Sequence, residues 1–576
     1  MSPKMKYLNL KIIFCSLLLL LTACEQQDRE YADTIYINGN VITIDDANPY
    51  AEAIATKDGL VFDVGSSEDI KTLEGPNTNV IDLKMNTIVP GFIDAHSHFS
   101  GVGAQSLVAN LLPEPDGSVN TIADLQATLR DFIKESPMVK NYNVVIGFNY
   151  DDSQLAEKRH PNRHDLDAVT TELPIVVMHQ SGHLGAYNSK ALEMMGINAE
   201  TQDPTGGIIE READGKTPSG VMQENAHFMI FFKLIPAFTE DDLVELYKAG
   251  EHSYLSNGFT TVQEGKTDSA TLNTLPQIAA STGFDIDIIS YVDIKALGDD
   301  PILHAELMSK EYHSGFRIGG VKLTFDGSPQ GKTAWFTEPY YEPPAGQVRT
   351  YSGYPAFSDD DALKWMKLAY ANKWQLLVHT NGDAAIDQLI RLVTTISEEQ
   401  ELGDHRTVMI HGQFTRKDQI KPLKDLGILP ALYPMHTFYW GDWHRDSVAG
   451  IERAMNISPT GWFTQEKMQF TIHSDAPVTF PNSMRILDSA VNRVTRTNKT
   501  LGEEHKISPL DGLKAMTLWS AYQHFEESIK GSIEIGKQAD FVILDKNPIT
   551  VASEEIKNIK ILNTINDDKI VFSSER

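Results

Sequence analysis

Residues 88–99 read Ile-Val-Pro-Gly-Phe-Ile-Asp-Ala-His-Ser-His-Phe, and this stretch decides the fold. It has the β-branched and aromatic composition of a short buried strand, and it ends at His96 and His98. Successive strand side chains point to opposite faces, so the two imidazoles project to one side while Ser97 turns away. Neutral imidazole binds zinc, iron, nickel and copper, so the pair predicts the start of a metal site. Alone, the pair is equally consistent with a structural role, and its meaning depends on partners further along.

The middle of the chain alternates short apolar segments with amphipathic ones, which predicts repeated βα units and a parallel sheet. The segments predicted as strands are residues 144–148, 175–178, 260–262, 286–292, 320–324, 375–378, 408–410 and 469–472. Helices are predicted for residues 241–257, 359–371 and 384–397. The region from 90 to 525 therefore fits an α/β fold, a (β/α)₈ TIM-like barrel with insertions. In such a barrel the chemistry lies at the carboxyl ends of the strands.

Both ends of the chain are β-rich. Residues 34–89 contain alternating strand-like segments with Asn38-Gly39 and Asp58-Gly59 between them, two dipeptides typical of hairpin turns. Residues 526–576 have the same character. We therefore expect the two ends to form one small β-sandwich domain beside the barrel.

The first 23 residues have the order of a secretory signal: a basic start, an apolar run over residues 12–21, and then Leu21-Thr-Ala-Cys24. This ending resembles a bacterial lipobox, which implies cleavage before Cys24, lipid attachment to its sulfur, and a polar tether over residues 24–33. An ordinary signal peptide or an anchor helix is the alternative. We expect a lipid-anchored, periplasm-facing protein of the bacterial cell envelope. The outer membrane is favoured because Glu25 stands where an aspartate is associated with inner-membrane retention.

The composition limits which metal ligands and which binding partners the protein can have. The chain has two cysteines, Cys15 and Cys24, so the mature form has no thiol for a metal or a disulfide, and nitrogen and oxygen must hold any metal. A net charge of −29 argues against nucleic acid, which needs basic patches. The expected partners are a small-molecule substrate and the membrane that holds the lipid anchor. A homodimer stays open.

Ligand-type side chains stand at the carboxyl ends of several predicted strands. They are His96, His98, Lys322, His379, His411 and Asp475. A single histidine at such a place is more often structural. Four histidines, a lysine and an aspartate at one end of one barrel instead predict a shared site.

The motifs around these residues resemble those of the metal-dependent amidohydrolase superfamily, in particular amidohydrolase family 3, which includes N-substituted formamide deformylases. The similarity runs from about residue 34 to 550. Its motifs lie at residues 90–98, 182–190, 206–211, 220–224, 321–328, 379–383, 411–413, 473–478 and 536–541. The order of the whole set is specific, whereas no single motif would be.

The resemblance implies one or two divalent metal ions, with zinc expected. The implied ligands are His96, His98, Lys322, His379, His411 and Asp475. The first histidine pair would hold one metal and the second pair the other. Lys322 would bridge them as a carbamate, because an ammonium cannot ligate. Asp475 would also be the catalytic residue, taking the proton of the attacking water and returning it to the leaving nitrogen.

Two alternatives stay open at the bridging position. Glu264 follows a predicted strand and is a second candidate for a bridging carboxylate, in which case Lys322 would be a barrel lysine paired with Asp326 or Glu264. A mononuclear site, held by His96, His98 and Asp475, is also consistent with the pattern.

Three residues are predicted to contact the substrate. The resemblance implies that the segment with His183 lines the pocket, and a structural loop histidine is the alternative there. Asp326, with Gly327-Ser328, is expected to shape the floor of the pocket. The aromatic segment 433–444, which includes Trp440 and two histidines, is predicted to be a substrate-facing loop or lid.

The predicted function is metal-dependent hydrolysis of a non-peptide C–N bond in an amide, an N-substituted formamide or a cyclic amide. One alternative keeps the metal site but acts on an ester or lactone, or isomerises its substrate. Another is a ligand-binding lipoprotein without catalysis. Fold-level similarity does not fix the substrate.

Overall fold

The computed structural model describes residues 30–182, 184–204, 207–297, 308–344 and 346–574. The predicted signal peptide, Cys24, residues 25–29 of the tether and His183 lie outside the described residues. Within the described part of the chain, we find no helix with both the length and the apolar character needed to cross a bilayer.

Eight parallel strands form the central sheet, and each one pairs with the next barrel strand along the chain. Barrel strands one to eight are Phe92–Ile93, Phe259–Thr267, Asp287–Asp293, Phe316–Thr324, Gln375–Thr380, Val408–His411, Leu429–Leu432 and Thr471–Ile472. The sheet closes just beyond its first and last strands. There the Asp475 amide donates to the His96 carbonyl at 3.1 Å, and the His98 amide donates to the Ala476 carbonyl at 2.7 Å. The predicted TIM-like barrel is confirmed.

Apolar side chains below the ligand residues hold the barrel together. One cluster on the strands consists of Ile289, Tyr291, Leu377, Val408, Ile410 and Ala431. Leu377 precedes His379 by two residues, so both side chains point to the same face of the sheet. These side chains are fully buried. Their removal from water stabilises the barrel strands that carry the ligand residues at their carboxyl ends.

The predicted helices are confirmed as Glu240–Leu255, Asp359–Ala371 and Asp383–Glu399. The second of these shows how the sequence starts a helix: the Ser358 hydroxyl accepts from the Asp361 amide, and three aspartates occupy the first turn. A side-chain cap satisfies a backbone donor there, and negative charge suits the positive end of the helix dipole.

Further helices surround the barrel and its neighbours. They are Ser67–Lys71, Phe99–Ser106, Ile122–Glu135, Pro137–Tyr142, Arg163–Asp167, Ser189–Met194, Asn225–Leu234, Ser269–Thr282, Ile294–Leu297, Lys417–Asp425, Met435–Trp443, Gly450–Ala454, Thr460–Gln465, Ser483–Asn492, Pro509–Met516 and Leu518–Gln523, with a π-helical turn at His444–Val448 and 3₁₀ turns at Glu503–His505 and Ser553–Asn558.

The two segments at 144–148 and 175–178 were predicted as barrel strands, and that prediction is wrong. They form Val145–Tyr150 and Ile175–His179, a parallel pair in a separate six-stranded sheet between barrel strands one and two. The other strands of that sheet are Ala109–Asn110, Leu184–Tyr187, Gly207–Arg211 and Pro218–Glu224. This inserted domain has apolar clusters of its own. Apolar composition identifies a buried strand but not the sheet that it joins.

Two sheets at the chain ends form the predicted β-sandwich. One contains Thr34–Ile37, Ala53–Lys57, Leu60–Gly65 and Asn79–Asp82; the other contains Asn40–Ile42, Tyr50–Ala51, Thr87–Pro90, Phe541–Leu544, Ile561–Asn566 and Lys569–Ser573. Tyr36 from the first sheet and Phe541 from the second pack in one core. The Asp58-Gly59 turn joins two paired strands as predicted. Asn38-Gly39 instead connects the two sheets.

Candidate metal centre

All six predicted ligand residues line one cavity of about 240 Å³ at the carboxyl ends of the barrel strands. We call them the metal centre: His96, His98, Lys322, His379, His411 and Asp475. The first histidine pair follows strand one, strand four carries the lysine, strands five and six carry the other two histidines, and the aspartate follows strand eight. The barrel therefore converts six distant sequence positions into one group of side chains.

Asp475 lies between the two histidine pairs. Its Oδ1 is 3.6 Å from His96 Nε2 and 3.5 Å from His98 Nε2, and its Oδ2 is 4.0 Å from His411 Nε2. His379 and His411 pack edge to face, with ring centroids 4.6 Å apart. Asp475 has a left-handed backbone, with φ of 51°, a strained conformation of the kind that clusters at functional sites. The barrel closure described above holds that backbone in place.

Lys322 is buried, and its Nζ lies 3.0 Å from His96 Nε2. It lies against this histidine instead of forming an ion pair with Asp326 or Glu264. Burial lowers the pKa of Lys322 to about 7, because the charged ammonium loses its hydration. A substantial fraction of the side chain is then the neutral amine near neutral pH.

Glu264 occupies a different environment. Its Oε2 accepts a hydrogen bond of 2.7 Å from the Ser100 amide, and its side chain is outside the set that lines the cavity. Burial raises the pKa of Glu264. Of the two residues considered for the bridging position, Lys322 is the one that reaches the cavity.

The donor set fits a divalent metal ion. Nε2 of His96, Nε2 of His98 and a carboxylate oxygen of Asp475 lie within 4.8 Å of one another. Burial, with neighbouring cationic groups, lowers the pKa of His96 and His411 well below the usual value, so both imidazoles are in the neutral form that ligates. The buried His411 Nδ1 has no hydrogen-bond partner within the described ranges. Gln263 Oε1, 3.1 Å from His96 Nδ1, orients that ring with Nε2 toward Asp475.

Asp326 has a full set of partners. Its carboxylate accepts hydrogen bonds from the amides of Trp335 at 3.0 Å, Asn381 at 2.9 Å and Gly382 at 2.7 Å, and lies 3.2 Å from His379 Nδ1. Although Asp326 lines the cavity, as expected for its floor, these contacts make it an orienting partner of His379.

The aromatic segment 433–444 forms the helix Met435–Trp443 after barrel strand seven. It reaches the cavity through Tyr433 and His436. Trp440 does not line the cavity; its indole Nε1 donates to Asp151 of the inserted domain at 3.1 Å. The two histidines in this segment were the sequence signal for His436, although the prediction named Trp440 instead.

A second group of ligand-type side chains, the His179 cluster, consists of Asp151, Asp152 and His179 in the inserted domain. His179 Nε2 lies 3.0 Å from Asp152 and 3.8 Å from Asp151. Burial opposes the charged imidazolium, but the two carboxylates outweigh it and raise the pKa of His179 to about 9. The Ser181 amide donates to His179 Nδ1 at 3.0 Å, so the ring carries a proton on Nε2, toward the two carboxylates. This N–H fills the place that a cation would take, and the cluster is a hydrogen-bonded group beside Trp440.

Residues 79–572 match the model of the amidohydrolase family. The chain belongs to the amidohydrolase family. It is 27% identical to the N-substituted formamide deformylase of Arthrobacter pascens over 549 residues, which cover 93% of this chain and 97% of that protein. The crystal structure of an uncharacterised metal-dependent hydrolase from Pyrococcus horikoshii OT3 matches with a TM-score of 0.71 and 22% identity, covering 90% of this chain and 99% of that one.

The barrel also resembles that of the zinc complex of atrazine chlorohydrolase TrzN from Arthrobacter aurescens TC1, with a TM-score of 0.51 and 12% identity over 94% of this chain and 96% of that one. The predicted family and fold are confirmed, and so is the predicted enzyme class, a hydrolase acting on C–N bonds.

Proposed function

We propose that this amidohydrolase cleaves a non-peptide C–N bond of an amide, an N-substituted formamide or a cyclic amide, with Asp475 as the proton carrier. The observation that carries the proposal is the position of Asp475, whose carboxylate lies within 4.0 Å of His96, His98 and His411 at the cavity. The similarity to an N-substituted formamide deformylase supports this choice of bond.

We propose one or two divalent metal ions, with zinc expected, as the cofactor. The donors would be the six residues of the metal centre, since imidazole nitrogen and carboxylate oxygen are ligands that suit zinc. When bound, the metal supplies an acidified water and polarises the substrate carbonyl. The zinc complex of the structurally similar TrzN supports the choice of metal.

Lys322 would complete a two-metal site as a carbamate. Its pKa of about 7 leaves a neutral amine that attacks carbon dioxide: an N–C bond forms, one amine proton leaves to solvent, and the product carries a negative charge. The carbamate offers two oxygens that can bind metal, whereas the ammonium offers no lone pair. The lysine would then act as a bridging carboxylate between the two histidine pairs.

Asp475 carries out the proton transfers in this proposal. Its carboxylate accepts a proton from the attacking water and then gives it to the nitrogen of the leaving amine. An amide nitrogen leaves poorly as an anion, so this second transfer is required for the bond to break. Asp475 is mostly buried, which limits the exchange of that proton with bulk water.

The test uses the chain from Cys24 onward, purified with zinc and bicarbonate and assayed on N-formyl and N-acyl amines. About two metals per chain support the carbamate-bridged pair, and about one supports the mononuclear alternative. Asp475→Asn should lower kcat by at least about 1,000-fold, because the proton carrier is lost, while the amide oxygen of the asparagine and the other ligand residues keep most of the metal bound. An unchanged kcat would overturn the role of Asp475. Turnover of esters or lactones alone would favour the first alternative, and a metal-free, inactive protein would favour a ligand-binding lipoprotein.

We also propose that Cys24 anchors the protein to the cell envelope by a lipid. The support is the order of the first 23 residues and the Leu-Thr-Ala-Cys ending. Cys24→Ser should move the protein from the membrane fraction to the soluble fraction without changing its specific activity. Retention of this variant in the membrane would favour an anchor helix instead.

A further inference from the structure

His436 lines the cavity of the metal centre but has no part in the proposed ligand set. It lies in the first turn of Met435–Trp443, the helix that follows barrel strand seven. The ring of Tyr433 is 4.6 Å away and that of Trp440 is 4.7 Å away, centroid to centroid. Only 2% of the residue is exposed. Aromatic neighbours therefore hold this imidazole in one orientation at the cavity wall.

A second histidine occupies one of its two nitrogens. His436 Nδ1 lies 2.9 Å from His444 Nε2, and the two ring planes are within 6° of parallel. His444 opens the π-helical turn His444–Val448 and is fully buried. Because the hydrogen bond with His444 occupies Nδ1 of His436, its Nε2 is the nitrogen that remains for a molecule in the cavity.

The surroundings of His444 decide which nitrogen carries the proton. The buried His444 Nδ1 has no hydrogen-bond partner among the residues that the structure describes. If His436 donated to His444, the proton of His444 would sit on Nδ1, as a buried N–H without an acceptor. If His444 donates, only a lone pair lacks a partner. Orphaned buried N–H groups are the rarer kind in proteins, so His444 donates and His436 carries its proton on Nε2.

Burial lowers the pKa of His436 well below its usual value, and His444 and His473 lower it further. The imidazole is therefore neutral, with one N–H donor toward the cavity. A neutral imidazole N–H is too weak an acid to protonate a leaving amine, but it donates well to an oxygen on which negative charge develops. Its chemistry thus complements that of Asp475, which can accept and return a proton.

We propose that His436 is a catalytic residue that donates its Nε2–H to the acyl oxygen of the substrate and stabilises the negative charge that forms there as water adds. The proposal rests on the proposed C–N hydrolysis. It further restricts the substrate to compounds with an accessible carbonyl oxygen next to the scissile nitrogen, as in formamides and small amides. No covalent bond to His436 forms or breaks, and the proton stays on Nε2 throughout.

Kinetics of the zinc-loaded chain test the role. His436→Ala should lower kcat by about 100-fold to 1,000-fold, as for loss of one oxyanion donor, with KM changed less than threefold and the metal content unchanged. His436→Gln keeps a side-chain N–H and should recover at least tenfold over alanine. His524→Gln is the matched control: it replaces a buried histidine that contacts Tyr291 below the ligand residues, and it should leave kcat unchanged. An unchanged kcat in His436→Ala, or loss of metal from it, would overturn the proposal.

Histidine-selective ¹⁵N NMR gives a readout that does not need turnover. The sample is zinc-loaded Asp475→Asn, with the His436 signals identified by their loss in His436→Gln. We expect a neutral ring protonated on Nε2, and a shift of that nitrogen when N-benzylformamide is added. A ring protonated on Nδ1, or no shift at saturating formamide, would contradict the proposal. If the wild-type enzyme hydrolyses no amide, the proposed function fails, while the NMR result still decides the state of His436.

Discussion

The metal centre and the His179 cluster each contain histidine and aspartate, and in each of them three ligand atoms of these two residue types lie within 4.8 Å of one another. They differ in the ratio of acids to imidazoles. In the His179 cluster two carboxylates face His179, with His160 Nδ1 a further 3.8 Å contact of Asp152, and the pKa of His179 rises to about 9. In the metal centre one carboxylate, Asp475, faces His96, His98 and His411, and burial keeps the pKa of His96 and His411 well below normal.

This difference decides what each group can bind. In the His179 cluster the proton on His179 Nε2 already faces the two carboxylates, and Asp151 is further occupied by the Ser153 amide at 2.9 Å and by Trp440. The neutral imidazoles of His96 and His411 each keep a nitrogen lone pair, so a divalent cation is the partner that suits them. Proximity of histidine and aspartate is thus insufficient evidence for a metal site, and the protonation state of the histidine separates the two cases.

The largest expected effect contrasts a histidine from each group. His98→Asn should lower zinc affinity by at least about 100-fold, because losing a ligand costs more than the 10–100-fold typical of losing an orienting partner, and activity should fall with it. His179→Asn is the matched substitution and should leave the metal content unchanged. Elemental analysis after equilibrium dialysis checks both variants. Loss of metal from His179→Asn, with His98→Asn unaffected, would reverse the assignment of the two groups.

Much of the metal centre was predictable because a parallel barrel brings the carboxyl ends of all its strands to one rim. Lys322 and His379 could be assigned from their positions after apolar runs, without any knowledge of their contacts. The motifs of the family then supplied the order and the expected roles. The local sequence pattern and the barrel topology were enough to assign these residues to the metal centre.

Long-range contacts account for what the sequence analysis missed. Val145–Tyr150 and Ile175–His179 are buried parallel strands, and nothing in their composition distinguishes the inserted sheet from the barrel. Glu264 lies near the carboxyl end of barrel strand two, where a ligand could stand, but its carboxylate accepts from the Ser100 amide, 164 positions earlier in the chain. The role of His436 depends on its hydrogen bond with His444 and on the unpartnered Nδ1 of His444. A sequence shows neither of these.

The prediction of intermediate size concerns how the free energy of unfolding depends on pH. The folded pKa of His179 is about 9, above the value of about 6.5 expected in the unfolded chain. A folded pKa of about 9 requires a second ring proton on Nδ1, which the Ser181 amide opposes by donating to that nitrogen at 3.0 Å. That second proton contributes stability that is fully present below about pH 6.5, declines as the pH rises, and is lost above about pH 9, on the order of 3 kcal/mol in total. The free energy of unfolding, from urea titrations of zinc-saturated protein at several pH values, should show this decline in wild type. His179→Gln should lack it, and parallel pH profiles for the two proteins would contradict the protonated state.

The smallest expected effect tests the contact that joins the His179 cluster to the barrel. Trp440→Phe keeps the aromatic ring but removes the 3.1 Å donation to Asp151, and it leaves one oxygen of a buried carboxylate without that partner. Hydrogen bonds to charged groups contribute about 1.5–3 kcal/mol, so we expect a loss near the lower end of that range, because the new phenyl ring retains most of the packing. Trp443→Phe is the control on the same helix, since its indole donates to the neutral carbonyl of Gln330 at 3.1 Å and should cost about 1 kcal/mol or less. Equal losses for the two variants would mean that the charge of Asp151 adds nothing at this contact, and that packing alone holds the inserted domain to the barrel there.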